Sequence, residues 1–98
     1  ERISAEQAQQ LGLVHEVTSV ENLDQKIDEI VQALLLGGPT AQHESKQLIQ
    51  MVSHQLVTED LLLQTAQHIA HVRQGTEAKA GLTAFLNKQS PVWIKTTA

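Results

Sequence analysis

Apolar residues recur at intervals of three and four positions along most of the chain, and this spacing constrains the fold more than any other feature. An interval of three or four places side chains on one face of an α-helix, because a helix turns once in about 3.6 residues. In the stretch 23–35 the apolar positions are Leu23, Ile27, Ile30, Val31, Leu34 and Leu35. Similar stretches end at glycine, proline or a capping residue. The pattern predicts an all-α chain of amphipathic helices joined by short turns.

A short leading helix and an extended segment are expected at the start of the chain. Ser4 and Gln7 have the S-x-x-Q spacing of a capping box, in which each side chain bonds the other residue's backbone N–H. Gly12 is suited to end this helix, because glycine adopts the left-handed conformation without a steric penalty. In the residues that follow, LVHEV at 13–17, apolar and polar residues alternate imperfectly. They predict a short strand or a stretched connector.

Four main helices are predicted to follow. Asn22 and Thr58 are good N-caps for the first and third of them. The second is expected to begin at 39–41, after two glycines and a proline, and its apolar face is expected to extend to Leu56. The third carries apolar residues over a wide arc, so it needs cover on two sides.

The last helical stretch, 76–93, holds the single phenylalanine and the single tryptophan of the chain. Thr76 is expected to be its N-cap, and Pro91 its stop. Phe85 lies on its apolar stripe. Lys88 follows three residues later, which on a continuous helix is nearly the same side. We expect this stretch to carry the function.

Composition excludes several classes of protein. The 98 residues suffice for one small domain, and a core must be aliphatic because tyrosine is absent. A net charge of −4 without a basic run argues against a nucleic-acid partner. No apolar run approaches the ~20 residues of a membrane span, so no membrane partner is expected. The absence of cysteine fits a cytoplasmic protein. A first residue other than methionine suggests a piece of something longer.

No assembled catalytic or metal site is expected within the chain. His68 and His71 are three residues apart on a predicted helix, but no acidic residue or cysteine has matching spacing, so we interpret them as surface or interface histidines. No nucleophile motif is present. Glu59 and Asp60 lie where a helix N-terminus favours acids, and this explains them without acid–base chemistry.

Three motifs in order resemble the crotonase (enoyl-CoA hydratase/isomerase) superfamily. The segment ISAEQAQQLGLVHEV at 3–17 is similar to the family's I-S-A-x-x-A helix running into G-L-V. The segment GPTAQHESKQLI at 38–49 is similar to its S-P-x-A-x-x-x-x-K helix. The segment AGLTAFLNKQSPVW at 80–93 is similar to its closing E-G-x-x-A-F-x-x-K-R-x-P-x-W/F. Two departures are Ala80 in place of the glutamate and Gln89 in place of the arginine.

The resemblance implies a division of the chain and a location for the catalytic groups. Residues 1–20 would be the end of a missing spiral core domain, and 21–98 the C-terminal helical region through which family members form trimers or dimers of trimers. The oxyanion hole and the glutamates that add water to a 2-enoyl-CoA would lie upstream. No catalytic residue is therefore expected within this chain, and Glu6, Glu16 and Glu59 are not candidates.

The resemblance also implies a role for the last stretch. Phe85 and Lys88 match the phenylalanine and lysine that reach the coenzyme A of a neighbouring subunit. A lysine ammonium suits a phosphate, and Leu82 and Ala84 would line the same wall as Phe85.

The sequence therefore supports two hypotheses about function. The first is the C-terminal part of an enzyme that hydrates 2-enoyl-CoA in fatty-acid or branched-chain breakdown, with coenzyme A entering only as part of the substrate and with no permanent cofactor. The isolated chain would then be inactive. The acyl group, and isomerase, dehalogenase or hydrolase chemistry, stay open because the distinguishing residues would lie upstream. The alternative is a stand-alone helical protein-interaction module without catalysis.

Overall fold

The computed structural model describes residues 1–95 and confirms the all-α prediction. A short leading helix, α1 (Ala5–Gln10), is followed by four longer ones, α2 (Leu23–Leu35), α3 (Pro39–Val52), α4 (Glu59–Gln74) and α5 (Thr76–Leu86). Residues 13–17 form turns and irregular backbone, and the range 1–95 contains no β-strand. The connector interpretation of this segment is therefore the right one. Within the same range, no helix combines the length and the hydropathy that a bilayer crossing requires.

The chain divides into two compact units, 1–33 and 34–98. The first unit begins with α1, whose capping box is present as predicted. The Gln7 amide donates to Ser4 Oγ at 3.1 Å, and the Ser4 amide donates to Gln7 Oε1 at 2.9 Å. Gly12 then reverses the chain with a φ of +77°, while the Leu13 amide donates to the Ala8 carbonyl at 2.9 Å. This pair of features is a Schellman motif, and it ends α1 at Gly12, as the sequence predicts.

The start of α2 differs slightly from the prediction. Asn22 is the last residue of a 3-10 turn, Val20–Asn22, that runs directly into the helix, so it does not serve as an N-cap. Ser19 precedes that turn in extended conformation instead. Asp24 lies in the first turn of α2, where a helix N-terminus favours negative charge.

The second unit contains α3, α4 and α5, which pack on one another. Leu61, near the start of α4, is 6% exposed and is the buried apolar residue of the described part of the chain. Thr58 caps α4 as predicted, its hydroxyl accepting from the Leu61 amide at 3.1 Å. The expectation that Leu56 extends the face of α3 is wrong. The helix ends at Val52, His54 takes a φ of 61°, and Leu56 is 85% exposed in the connector.

The predicted cap of the last helix is also wrong. Gly75 takes the N-cap position, and Thr76 is the first helical residue, without a side-chain capping bond. Because Gly75 also ends α4, one extended residue separates the two helices. A threonine adopts the extended N-cap conformation readily, but here the glycine one residue earlier already does so.

Candidate functional site

The exposed face of α5 carries the apolar residues singled out by the sequence. Phe85 is 79% exposed and Leu86 77%, and Leu82 beside them is 47% exposed. Residues 82 and 85 are three apart and share this face. Ala84 is two residues from Leu82, about 200° around the helix, and does not share it. Ala84 lies about 100° from Phe85 on the helix, and its place in a wall beside Phe85 stays a prediction.

Lys88 lies beyond the end of α5 in a left-handed conformation, with a φ of 56°. The helix ends at Leu86, short of Pro91, because a Schellman motif closes it. The Gln89 amide donates to the Ala84 carbonyl at 2.8 Å, and the Lys88 amide donates to the Phe85 carbonyl at 3.1 Å. Lys88 therefore does not share a helical face with Phe85, as a continuous helix would require. The two residues are instead joined by the turn that ends the helix.

The left-handed conformation is uncommon for lysine. It costs a residue with a Cβ atom about 1–2 kcal/mol relative to the right-handed helix, whereas glycine adopts it freely. Gly12 occupies the equivalent position at the end of α1. A strained non-glycine residue at such a turn is the kind of outlier that accompanies a side chain with a role.

Trp93 holds the segment after Lys88 against α5 and the residue that follows α2. Its Nε1–H donates to the Leu36 carbonyl at 3.1 Å. Its ring lies over Gly81 in the middle of α5, so closely that a Cβ atom at position 81 would lie 2.8 Å from Trp93 Cη2. We call Trp93, Gly81 and Leu36 the C-terminal clasp.

A second long-range contact joins α5 to α3. The Glu77 carboxylate accepts from the Thr40 amide at 2.9 Å and from the Ala41 amide at 2.8 Å, so it caps α3 across 36 residues of sequence. A Cβ atom at position 38 would collide with Glu77 Oε1, so a side chain there would displace the carboxylate from its capping position. Partial desolvation acts to raise the pKa of Glu77, but these two amides and the Thr40 side chain stabilise the anion and hold the pKa below its ordinary 4.5.

Two clefts lie beside α5. The first, about 360 Å³, includes Gly38, Glu77, Gly81 and Trp93 in its lining. The second, about 460 Å³, lies along 76–92 and includes Lys79 and Ala84. Neither is lined by Phe85 or Lys88. The candidate residues therefore form an exposed edge of α5 and its terminal turn, which suits a contribution to a pocket completed by another surface.

The histidines occupy positions suited to packing and surface roles. His68 Nε2 lies 3.4 Å from Glu44 Oε2, joining α4 to α3, and the His68 side chain is 15% exposed. His71 is exposed one turn later. Within residues 1–95 no three histidine, cysteine or acidic side chains come together as a metal site requires.

Sequence reasoning missed the clasp and the Glu77 cap. From the sequence alone, Glu77 is an acid in the first turn of its own helix and Trp93 is an aromatic residue after that helix, and neither position indicates a distant partner. Gly81 was the available signal, because a glycine inside a helix costs about 1 kcal/mol relative to alanine and needs a packing reason.

Comparisons with known proteins identify the family. The family model for enoyl-CoA hydratase/isomerase matches residues 1–96. Among curated proteins, carnitinyl-CoA dehydratase of Salmonella typhi is 30% identical over 95 residues. The same enzyme of Salmonella heidelberg (strain SL476) is equally similar. In each case the match covers 94% of this chain and 36% of the relative. The chain thus spans about a third of the length of the curated relatives that it matches.

Solved structures give the same family. A chain from Legionella pneumophila, assigned as an enoyl CoA hydratase/isomerase (crotonase), superposes with a TM-score of 0.87 at 35% identity and covers 94% of this chain and 36% of its own length. An enoyl-CoA hydratase/isomerase from Marinobacter aquaeolei gives a TM-score of 0.84 at 34% identity, covering 95% of this chain and 35% of its own. With the family model spanning nearly every residue, the chain belongs to the enoyl-CoA hydratase/isomerase family.

Proposed function

We propose that this chain is the C-terminal helical part of a cytoplasmic enzyme that acts on acyl-CoA thioesters by hydrating a 2-enoyl-CoA. In this proposal its helices carry contacts to the upstream domain and to other subunits, and Phe85 and Lys88 complete the coenzyme A site of a neighbouring subunit. The family match across residues 1–96 is the observation that carries the proposal. The same match disfavours a stand-alone interaction module.

The edge formed by Phe85 and Lys88 supports the coenzyme A role. Phe85 is a large aromatic side chain left 79% exposed, which is expensive unless something covers it. Lys88 is the first cation after it, at a backbone conformation that lysine adopts at a cost. An ammonium on a flexible stem matches the phosphates of coenzyme A, and an aromatic ring can flank its adenine. The adjacency of the two residues supports a shared ligand, because one molecule of coenzyme A offers both a base and phosphates.

Apolar exposure supports the need for further protein surface. The apolar side chains on the face of α2 are 42–59% exposed. On α4, Leu62, Leu63 and Ile69 are 57–62% exposed. Amphipathic helices of a folded protein bury such stripes. We therefore expect the full-length protein to sediment as a trimer or as a dimer of trimers, and the isolated 98-residue chain to show no enoyl-CoA turnover. A monomeric full-length protein would contradict the oligomerisation part of the proposal.

The test of the coenzyme A role is Lys88→Ala in the full-length protein. Both residues have a Cβ atom, so the change removes the charge without relieving the backbone conformation. Losing one charge-assisted contact worth about 1.5 kcal/mol should raise the KM for an acyl-CoA roughly tenfold. The same acyl group on pantetheine, which lacks the adenosine phosphates, should keep its KM.

Lys79→Ala is the matched control. Lys79 is an exposed lysine on α5 whose removal changes the net charge equally, and we expect an unchanged KM for both substrates. If Lys88→Ala leaves the KM for acyl-CoA unaltered, or raises it for both thioesters alike, Lys88 does not contact the nucleotide part of the substrate.

A further inference from the structure

The segment that carries Lys88 is fixed at both of its ends. At one end, the Schellman motif ties the amides of Lys88 and Gln89 to the last turn of α5. At the other end, Trp93 returns to the middle of the same helix and lies over Gly81. The residues 87–92 between them therefore form a closed loop on α5.

Trp93 closes this loop through two different contacts. Its ring packs against a helix position where only glycine leaves room. Its N–H donates to the Leu36 carbonyl, which follows α2 and so lacks an amide partner within that helix. Trp93 is half-buried, although Val92 beside it is 86% exposed. Phenylalanine at position 93 would keep the ring contact and lose the hydrogen bond.

Fixing the loop matters because a lysine side chain is itself flexible. An ammonium on four methylene groups binds a phosphate better when the backbone that bears it has few alternative positions, since less conformational entropy is lost on binding. The Schellman motif orders one side of Lys88. The ring on Gly81 is the side-chain anchor that orders the other side.

We propose that Trp93, acting through the C-terminal clasp, is a positioning residue that holds Lys88 where it meets the phosphates of coenzyme A. This inference rests on the proposed function, because it assumes that Lys88 contacts the substrate. Trp93 itself is assigned no contact with the substrate or the reacting atoms. Its effect must pass through Lys88 and must not exceed the effect of removing Lys88.

The test is a double-mutant cycle in the full-length protein, read as the KM for an acyl-CoA and for the pantetheine thioester of the same acyl group. Trp93→Ala should raise the KM for acyl-CoA, by no more than Lys88→Ala does, and leave the KM for the pantetheine thioester unchanged. In the Lys88→Ala background, Trp93→Ala should cause no further change in the KM for acyl-CoA. Trp93→Phe should give a smaller rise, and it replaces Trp93→Ala if the latter does not fold. Val92→Ala is the control for a neighbouring exposed residue, with no change expected.

The outcomes separate this inference from the proposed function. If Lys88→Ala leaves the KM for acyl-CoA unaltered, the proposed contact fails and the inference fails with it. If Lys88→Ala raises that KM but the Trp93 variants do not, only the positioning role is overturned. If the Trp93 variants raise the KM for both thioesters alike, or add their full effect to that of Lys88→Ala, Trp93 is a general structural residue and the positioning role is again overturned.

Discussion

Replacing Gly81 by alanine sets two opposing effects against each other. Gly81 lies in the interior of α5, where alanine is favoured over glycine by about 1 kcal/mol. Helix propensity alone therefore predicts that Gly81→Ala stabilises the helix. The clasp predicts the reverse, because the new Cβ atom would lie 2.8 Å from Trp93 Cη2.

The geometry indicates which effect prevails. A separation of 2.8 Å is about 0.7 Å shorter than the ~3.5 Å at which two carbon atoms attract each other best. The indole must therefore move, which weakens its hydrogen bond to Leu36, worth about 1 kcal/mol, and its packing. Overpacking of this kind costs typically ~1–3 kcal/mol. Taking about 2 kcal/mol for the clash and about 1 kcal/mol for the propensity gain, we expect a net loss of about 1 kcal/mol.

Hydrogen–deuterium exchange of α5 amides in the full-length protein measures this local stability. A loss of about 1 kcal/mol makes exchange roughly fivefold faster in Gly81→Ala. The control is the same substitution in a Trp93→Ala background. There the clash is gone, and exchange should become roughly fivefold slower than in Trp93→Ala alone. If Gly81→Ala slows exchange equally in both backgrounds, the ring does not lie over Gly81 and the reasoning about the clasp is wrong.

Three further predictions test individual contacts in the full-length protein. Thr58→Ala should destabilise α4 by about 1 kcal/mol in hydrogen-exchange measurements, because it removes the cap on the Leu61 amide. Thr76→Ala should change the stability of α5 little, and equal effects of the two substitutions would contradict the assigned caps. Lys88→Gly should stabilise the end of α5 by about 1 kcal/mol relative to Lys88→Ala, since only glycine relieves the left-handed conformation; equal stability would contradict it. Glu77→Gln should lower the melting temperature at pH 7. Because the pKa of Glu77 is depressed in the folded chain, its stabilisation is present above 4.5 and is lost as the pH falls below that value, so the two melting temperatures should converge in acid; a gap that persists there would contradict the charged cap.

Features that depend on neighbouring residues were predictable from the sequence. The capping box of Ser4 and Gln7, the left-handed Gly12 and the Thr58 cap all form between residues at most five positions apart. Their geometry follows from local backbone chemistry, and the structure has each of them where the sequence indicated. The all-α class was predictable for the same reason, because helical periodicity relates residues only three or four positions apart.

Features that depend on distant partners were not predictable. Glu77 looked like an acid at its own helix N-terminus, but its carboxylate instead bonds two amides of α3. The choice between these roles depends on how α3 and α5 pack, which periodicity does not specify. The prediction of where α5 ends was wrong for a different reason. Pro91 marks where a helix must stop, but the Schellman motif at Lys88 ends α5 earlier. Such a motif usually has glycine where this chain has Lys88, so the sequence gives no signal for it.

The candidate site came from a resemblance rather than from a pattern. Spacing alone describes Phe85 as a helix-packing residue and Lys88 as a charge near a helix end. Within residues 1–95, however, Phe85 is 79% exposed, so it is not a packing residue of that part of the chain. That a neighbouring subunit covers Phe85 belongs to the proposed function, and the division at residue 20 between core and helical region also remains a prediction.

The most direct test of the proposed function is a structure of the full-length protein with a bound acyl-CoA. We predict an oligomer in which Lys88 Nζ lies within about 4 Å of a phosphate oxygen of coenzyme A held mainly by a neighbouring subunit, with Phe85 against the same ligand. A structure in which bound coenzyme A contacts neither residue, on its own or on any neighbouring subunit, would contradict it.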